Sequence, residues 1–335
     1  MDKYIDNYLD SLEREIKEFY QNEAIKTLYI GGGTPSVLSA RETHRLFNII
    51  KNFNLEKLEE FTFEVNPEDI NEETIQFLRK NKVNRISIGI QSFNKDKLVF
   101  LEREADYEDV FDKVRLIRSK GIYNINFDLM YGLPCENMNI LKEDLKLFLS
   151  MKPTHISTYS LIIEDNTKLK IKNTEYIDQE LDFKMYQYII KTLTNNDYEH
   201  YEVSNFALEG KQSIHNQAYW NNKEYYGFGL GAAGYFNGFR YQNTPNIDNY
   251  INGDYRFQTE LLSNQEIMEY EVILGLRKIK GINKQEFEQK YGVKLEDTFP
   301  IKPLLNNKDL IEKNGYIFIN PQRIYLMNEI LLKMV

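Results

Sequence analysis

At 335 residues the chain is long enough for about two domains, each able to bury a core without disulfides or structural metal. Its 42 basic and 51 acidic residues leave a net charge of −9, interspersed rather than gathered in blocks, which excludes a nucleic-acid footprint and a polybasic membrane patch. The single cysteine, Cys135, excludes an intrachain disulfide and any multi-cysteine metal site, and no apolar run reaches the roughly 18 residues of a membrane span.

Met1 leads into a polar segment with no apolar signal-peptide core, so a cytoplasmic location is expected. Ile5, Tyr8, Leu9, Leu12, Ile16 and Phe19 recur at helical spacing, with Asp6, Asp10, Glu13, Arg14 and Lys17 between them, which predicts an amphipathic helix. The apolar run Leu28-Tyr29-Ile30 then ends in Gly31-Gly32-Gly33-Thr34-Pro35, and Ser39 with Glu42 forms a capping-box pattern opening a helix through Phe53. Strand, turn and helix alternate from there. Phe61 to Val65, Ile86 to Ile90, Ile125 to Met130 and Ile156 to Leu161 read as strands apolar on both faces. The helices between them are capped by Asn71, closed by Gly121, or carry Leu141, Leu145, Phe148 and Leu149. Five such strands predict a parallel sheet, either open or closed as a barrel. The chain nevertheless opens with a helix, where a β/α alternation starts with a strand.

Beyond about residue 165 the pattern changes. A long helix over Leu181, Met185, Ile189 and Leu193 is followed by a loop-rich aromatic stretch from Tyr198 to Tyr255. Helical segments at Ile267 to Leu276, Lys284 to Tyr291 and Lys308 to Ile311 precede a short strand, Tyr316 to Ile319, which suggests a winged-helix-like end.

In a parallel β/α fold, ligands collect at the carboxyl ends of strands. Those ends carry Gly31 to Thr34, then Glu64 and Asn66, Gln91 and Ser92, Asp128 and Tyr131, and Ser157, Tyr159 and Ser160. The glycines either let backbone N–H groups approach an anionic ligand or simply form a tight turn. No G-x-x-x-x-G-K-[ST] loop is present, and Ser36 stands where a dinucleotide fingerprint needs its third glycine. Glu64, Gln91 and Asp128 can accept hydrogen bonds from an amine or a ribose. Arg103 suits a carboxylate, or pairing with Glu102 or Glu104. Among the histidines, His44, His155 and His200 read as structural, whereas His215 lies beside the only tryptophan, Trp220, before a glycine-rich stretch. An imidazole against aromatic surface suits an axial ligand to heme, or a packed aromatic corner.

Taken together, Gly31 to Ser36, Glu64-Val65-Asn66-Pro67, Gly89-Ile90-Gln91-Ser92-Phe93, Asn126 to Pro134, His155 to Leu161 and the H-N-x-x-Y-W of His215 to Trp220 resemble the radical S-adenosylmethionine (SAM) family of oxygen-independent coproporphyrinogen III oxidase-like proteins. The last motif points to its heme-chaperone branch. The resemblance implies an α/β fold: a partial (β/α) radical SAM-type barrel lacking its first strand, plus a C-terminal helical, winged-helix-like region. It implies a barrel over 1–165, barrel completion and an aromatic heme region over 166–258, and a C-terminal domain over 259–335. It places S-adenosylmethionine on Gly32, Gly33, Thr34, Glu64, Gln91, Arg103, Asp128, Ile162 and Ala233, and heme iron on His215, and assigns no catalytic residue.

The family's first strand ends in C-x-x-x-C-x-x-C, whose thiolates hold a 4Fe-4S cluster, and that motif is absent here. Ala233-Gly234 stand where heme-chaperone relatives often have His-Ser. Without the cluster ligands the chain is expected to be inactive in radical chemistry as it stands. It is further expected to be a fragment of a longer protein rather than a paralogue that shed the cluster, because losing the first strand leaves an unpaired parallel edge. The implied function is heme and S-adenosylmethionine binding with delivery of heme to acceptor proteins, reaching membranes only through those acceptors and involving no nucleic acid. The alternatives are an oxygen-independent coproporphyrinogen III oxidase when full length, and a non-catalytic binding module.

Overall fold

A computed structural model describes residues 2–161 and 176–334. The chain opens with α1 (Asp2–Phe19), β1 (Thr27–Ile30) and α2 (Ala40–Ile50), the last closed at its start by the Ser39/Glu42 capping box. Two compact units emerge. One comprises Met1–Leu28, Leu38–Glu60 and Ser213–Val335, the other Tyr29–Val37 and Phe61–Gln212.

A seven-stranded sheet, most of it in the second unit, curls into a partial barrel. After β1 come β2 (Glu60–Val65), β3 (Arg85–Gln91), β4 (Asn124–Tyr131), β5 (His155–Ser160), β6 (Glu199–Glu202) and β7 (Asn205–Ala207), in the spatial order β1-β2-β3-β4-β5-β7-β6. Strands β2 to β5 run parallel, and β7 is antiparallel to both β5 and β6. Register decides the faces, since side chains of paired residues point the same way. Glu64 pairs with Ser87, Ser87 with Asn126, Asn126 with His155, and two residues on Asp128 pairs with Ser157. Phe63, Ile86 and Ile125 fall on the opposite face. That face is covered by α3 (Glu72–Lys80), α5 (Tyr107–Ser119) and α6 (Met138–Ser150), which bury Ile75, Leu78, Val110, Val114, Leu145 and Phe148. The Phe148 ring meets Phe127 edge-on at 5.7 Å. Each fully buried aliphatic or aromatic side chain of this layer contributes roughly 1.5–3 kcal/mol.

The strands are therefore not apolar on both faces, as the sequence pattern suggested. Only one face meets helices, while the other lines the inside of the partial barrel and keeps polar side chains that bond across strands. Two further helices belong to this unit, α4 (Lys95–Phe100) and α7 (Gln179–Thr194).

In the first unit α1 buries Leu9, Leu12 and Ile16 and, on the same stripe, Glu15. Its carboxylate accepts bonds from the Gly229 N–H (2.9 Å), Asn243 Nδ2 (2.7 Å), the Tyr250 hydroxyl (2.6 Å) and Arg256 Nη1 (3.0 Å). The stretch expected to be loop-rich holds α8 (Ile214–Trp220), β8 (Ala233–Phe236), β9 (Phe239–Asn243), α9 (Ile247–Ile251) and, beginning just past it, β10 (Arg256–Leu261). A two-residue turn at Asn237 and Gly238, both at positive φ, joins β8 to β9, so that dipeptide carried the hairpin signal. The remainder is α10 (Asn264–Gly275), β11 (Ile282–Asn283), α11 (Lys284–Tyr291), α12 (Leu295–Thr298), α13 (Ile301–Asn306), β12 (Leu310–Lys313), β13 (Tyr316–Ile319) and α14 (Met327–Leu331). The helix expected over Lys308 to Ile311 is not formed: Lys308 has φ +58°, which ends α13, and Leu310 pairs with Ile319 in the sheet β11-β13-β12.

Candidate functional site

The polar face of the partial barrel gathers most of the residues singled out in the sequence. Gly32 and Gly33 have positive φ and open space where a Cβ would stand, so their backbone is left uncovered on that side. Gly31 is constrained differently. A Cβ there would lie 2.5 Å from the Tyr29 ring and 2.6 Å from the Glu64 carboxyl carbon. This close approach lets Glu64 accept from the Gly32 N–H (3.1 Å) and the Tyr29 hydroxyl (2.5 Å). Thr34 and Gln91 are held in the left-handed region at φ +61° and +68°. Such non-glycine positions cost energy and persist where the surroundings enforce them.

Around Gly89 a second group converges, its missing Cβ ringed by Gln91 Nε2 at 3.3 Å and by Arg103 Nη1 and Asn66 Oδ1 at 3.8 Å each. Arg103 donates to Asn66 Oδ1 at 2.6 Å. Beneath this turn lies a buried charge cluster that the sequence reading missed. Lys97 Nζ donates to Glu136 (2.7 Å), Asp144 (2.9 Å) and the Met130 carbonyl (2.7 Å), while Asp144 accepts from the Ser92 hydroxyl (2.6 Å) and the Phe93 N–H (2.8 Å). Burial pushes the Glu136 carboxyl up, and Lys97 works against that. The cluster braces the strand end that carries Gln91 and Ser92.

Asp128 is the third element. Asn126 Nδ2 donates to its Oδ1 (2.8 Å) and to Ser87 Oγ (2.7 Å), while Asn126 Oδ1 accepts from Ser157 Oγ (3.0 Å) and His155 Nδ1 (2.5 Å). Asn126 thus ties three strands together, and the Tyr201 hydroxyl completes the chain at His155 Nε2 (2.8 Å). Burial holds the His155 pKa well below its usual value, so the ring stays neutral. Burial pushes the Asp128 carboxyl up to about 6, the Glu64 charge adds to that, and the Asn126 hydrogen bond opposes it. Two carboxylates sharing a rim, one of them reluctant to ionise, suit a cationic ligand.

Tyr131 and Ser160, expected beside Asp128, lie on the other face. They pair with one another an odd number of residues beyond Asp128 and Ser157, and Ser160 donates to Asp182 (2.8 Å). Ile162 lies outside the described residues. Ala233 and His215 belong to the first unit. Ala233 opens β8, exposed, with its carbonyl so close to Gly227 that only a glycine fits there.

His215 is not in a loop, as expected, but in the first turn of α8. Ser213 caps that helix by accepting from the Asn216 N–H, and the buried Glu60 carboxylate accepts from the N–H groups of Ile214 and His215 at 3.0 Å each. The negative charge at the helix start adds a favourable dipole interaction. Nδ1 of His215 lies 2.9 Å from Thr27 Oγ1, and Nε2 lies 2.8 Å from the Tyr219 hydroxyl one turn on. The half-buried Trp220 has a buried Nε1 without a hydrogen-bond partner among the described residues.

These features place the chain among known proteins. The family model described as the Radical SAM superfamily matches residues 2–148, and that of the HemN C-terminal domain matches 262–326. The protein named heme chaperone HemW of Lactococcus lactis is 40% identical over 98% of this chain and 89% of its own length. The protein of the same name from Bacillus subtilis is 36% identical over 97% and 88%. The solved structure of coproporphyrinogen III oxidase (HemN) from Escherichia coli superposes with a TM-score of 0.87 at 23% identity, covering 98% of this chain and 82% of that one, a likeness of fold. This chain belongs to the HemN-like radical SAM heme-chaperone family.

A radical SAM cluster needs three thiolates, and the residues of this chain do not fit it. The sequence has Cys135 alone, exposed and next to Glu136, with burial pushing its thiol up rather than toward thiolate. Among the described residues no group of three His, Cys, Asp or Glu side chains is arranged to hold a metal ion. None of the described helices is long and apolar enough to cross a membrane.

Proposed function

We propose that this protein is a heme carrier: it binds heme through His215, binds S-adenosylmethionine on the polar strand ends of its partial barrel, and passes the heme to heme-requiring acceptor proteins. The observation that carries the reading is the 40% identity to a heme chaperone over 98% of the chain. The placement of His215 in the first turn of α8, its backbone clamped by Glu60, is consistent with it. The imidazole would hold heme iron: Thr27 at one ring nitrogen sets the ring's orientation, and the other nitrogen meets the Tyr219 hydroxyl. Heme would be the cargo; the chain supplies the ring nitrogen and the aromatic ring of Tyr219 beside it.

For S-adenosylmethionine the fit rests on Glu64, Asp128 and the opened backbone of Gly32 and Gly33. Glu64 and Asp128 would meet the cationic ammonium and sulfonium groups, and Arg103 with Gln91 the carboxylate and ribose. Titration of the full chain with ferric heme should give a Soret shift that His215→Ala abolishes. Calorimetry with S-adenosylmethionine should give binding that Glu64→Gln weakens about tenfold, the loss of about 1.4 kcal/mol expected for a charge-assisted hydrogen bond. Identical spectra for wild type and His215→Ala would refute the heme assignment.

A further inference from the structure

Both ring nitrogens of His215 are engaged, and by groups of different character: Thr27 Oγ1 at Nδ1, 2.9 Å away, and the Tyr219 hydroxyl at Nε2, 2.8 Å away. A phenol is a stronger acid than the N–H of a neutral imidazole and a poor acceptor, whereas the imidazole lone pair is a strong acceptor. Tyr219 therefore donates to Nε2, and the ring proton sits on Nδ1, donating to Thr27. This is the tautomer of a histidine that ligates a metal through Nε2 while an oxygen holds its other N–H.

We propose that Tyr219 is a displaceable cap on the iron-binding lone pair of His215, and that Thr27 is the positioning residue that keeps the ring aimed while the cap is exchanged for iron. This rests on the heme reading given above. On binding, one O–H···N hydrogen bond breaks and one N–Fe dative bond forms; the phenol keeps its proton and no electron is transferred.

Local packing fixes which partner moves. The His215 backbone is held through its N–H by the buried Glu60 carboxylate, and the ring is held at Nδ1. The Tyr219 ring stands edge-on to His215, with centroids 4.9 Å apart at 86°, and edge-on to Tyr225 at 4.5 Å and 89°. It is half-buried, and its hydroxyl meets Nε2 directly, so a change of its side-chain rotamer would free Nε2. A returning hydroxyl competes with iron for the same lone pair, which favours release and suits a carrier more than a permanent heme protein.

The test uses the full chain. Ferric heme titrations of wild type, Tyr219→Phe, Thr27→Val and His215→Ala are followed by Soret absorbance and by the low-temperature electron-spin spectrum of the iron. Tyr219→Phe should bind heme about fivefold tighter, the worth of one net hydrogen bond, with an unchanged histidine-ligated spectrum. Thr27→Val should bind more weakly and give a second, differently ligated iron species. Independently, long-range 1H–15N spectra of the ¹⁵N-histidine-labelled wild type without heme should place the His215 proton on Nδ1. A proton on Nε2, or Tyr219→Phe binding no tighter while His215→Ala loses the spectrum, overturns the cap and leaves the heme reading standing. A His215→Ala spectrum identical to wild type overturns the heme reading and the cap with it.

Discussion

Replacing Asp128 with Asn should make the protein more stable at neutral pH while weakening its hold on a cationic ligand. In the folded chain the Asp128 carboxyl is pushed from 3.8 up to about 6, chiefly by burial and further by the Glu64 charge. A folded pKa above the unfolded one favours the native state only while the group is protonated. That contribution is complete below about pH 4 and is lost as the pH rises through about 6. The rise from 3.8 to about 6, at about 1.36 kcal/mol for each tenfold change in proton affinity, sets a ceiling of about 3 kcal/mol, and because Asp128 is half-buried, solvent screening reduces it to about 1–2 kcal/mol. The asparagine keeps the shape and can still accept from Asn126 through its own oxygen. Urea unfolding followed by far-UV circular dichroism should therefore give a variant more stable than wild type by that amount at pH 8, with the difference vanishing near pH 4. A difference independent of pH would refute the reasoning. A cation favours the ionised carboxylate, so S-adenosylmethionine binding near pH 6 should release a proton, seen as a buffer-dependent calorimetric heat that Asp128→Asn abolishes.

Three other substitutions test the supporting structure. Lys97→Met should cost about 3–5 kcal/mol in urea unfolding, because it leaves Glu136 and Asp144 buried without their cation. Gly31→Ala would force its new Cβ against Tyr29 and the Glu64 carboxyl; we expect a loss of about 1–3 kcal/mol in stability and roughly tenfold weaker S-adenosylmethionine binding by calorimetry. Glu60→Gln should loosen the start of α8, lowering stability by about 1–2 kcal/mol and weakening heme binding, read as a rightward shift of the Soret titration.

What the sequence disclosed and what it hid divide along a physical line. Local chemistry was legible: the capping box at Ser39, the Asn71 cap, the parallel strands and the polar residues at their ends all follow from short-range pattern. Which face a strand-end residue occupies was not, because a run of apolar residues hides the alternation; counting alternate residues from Asn126 and Asp128 separates them from Tyr131. The bracing groups were hidden for another reason. Glu15, Lys97 and Glu60 look like ordinary surface charges, and only long-range packing buries them against partners as far away as Arg256, Asp144 and Ile214. Glu15 had one visible clue, since it shares a helical stripe with Leu12 and Phe19. The motif around His215 was legible as residue types, but not its helix or the Thr27 contact made across 188 positions.

Glu15 carries a consequence for anyone handling this protein. Peeling α1 away would strand the Gly229 N–H, the Asn243 amide, the Tyr250 hydroxyl and the Arg256 guanidinium with no common acceptor. The first helix is thus a bolt through a segment more than two hundred residues downstream. Protease clipping ahead of Tyr20, or a fusion that tugs on the amino terminus, should loosen the glycine stretch from Gly227 to Gly231, whose Gly229 N–H loses its acceptor.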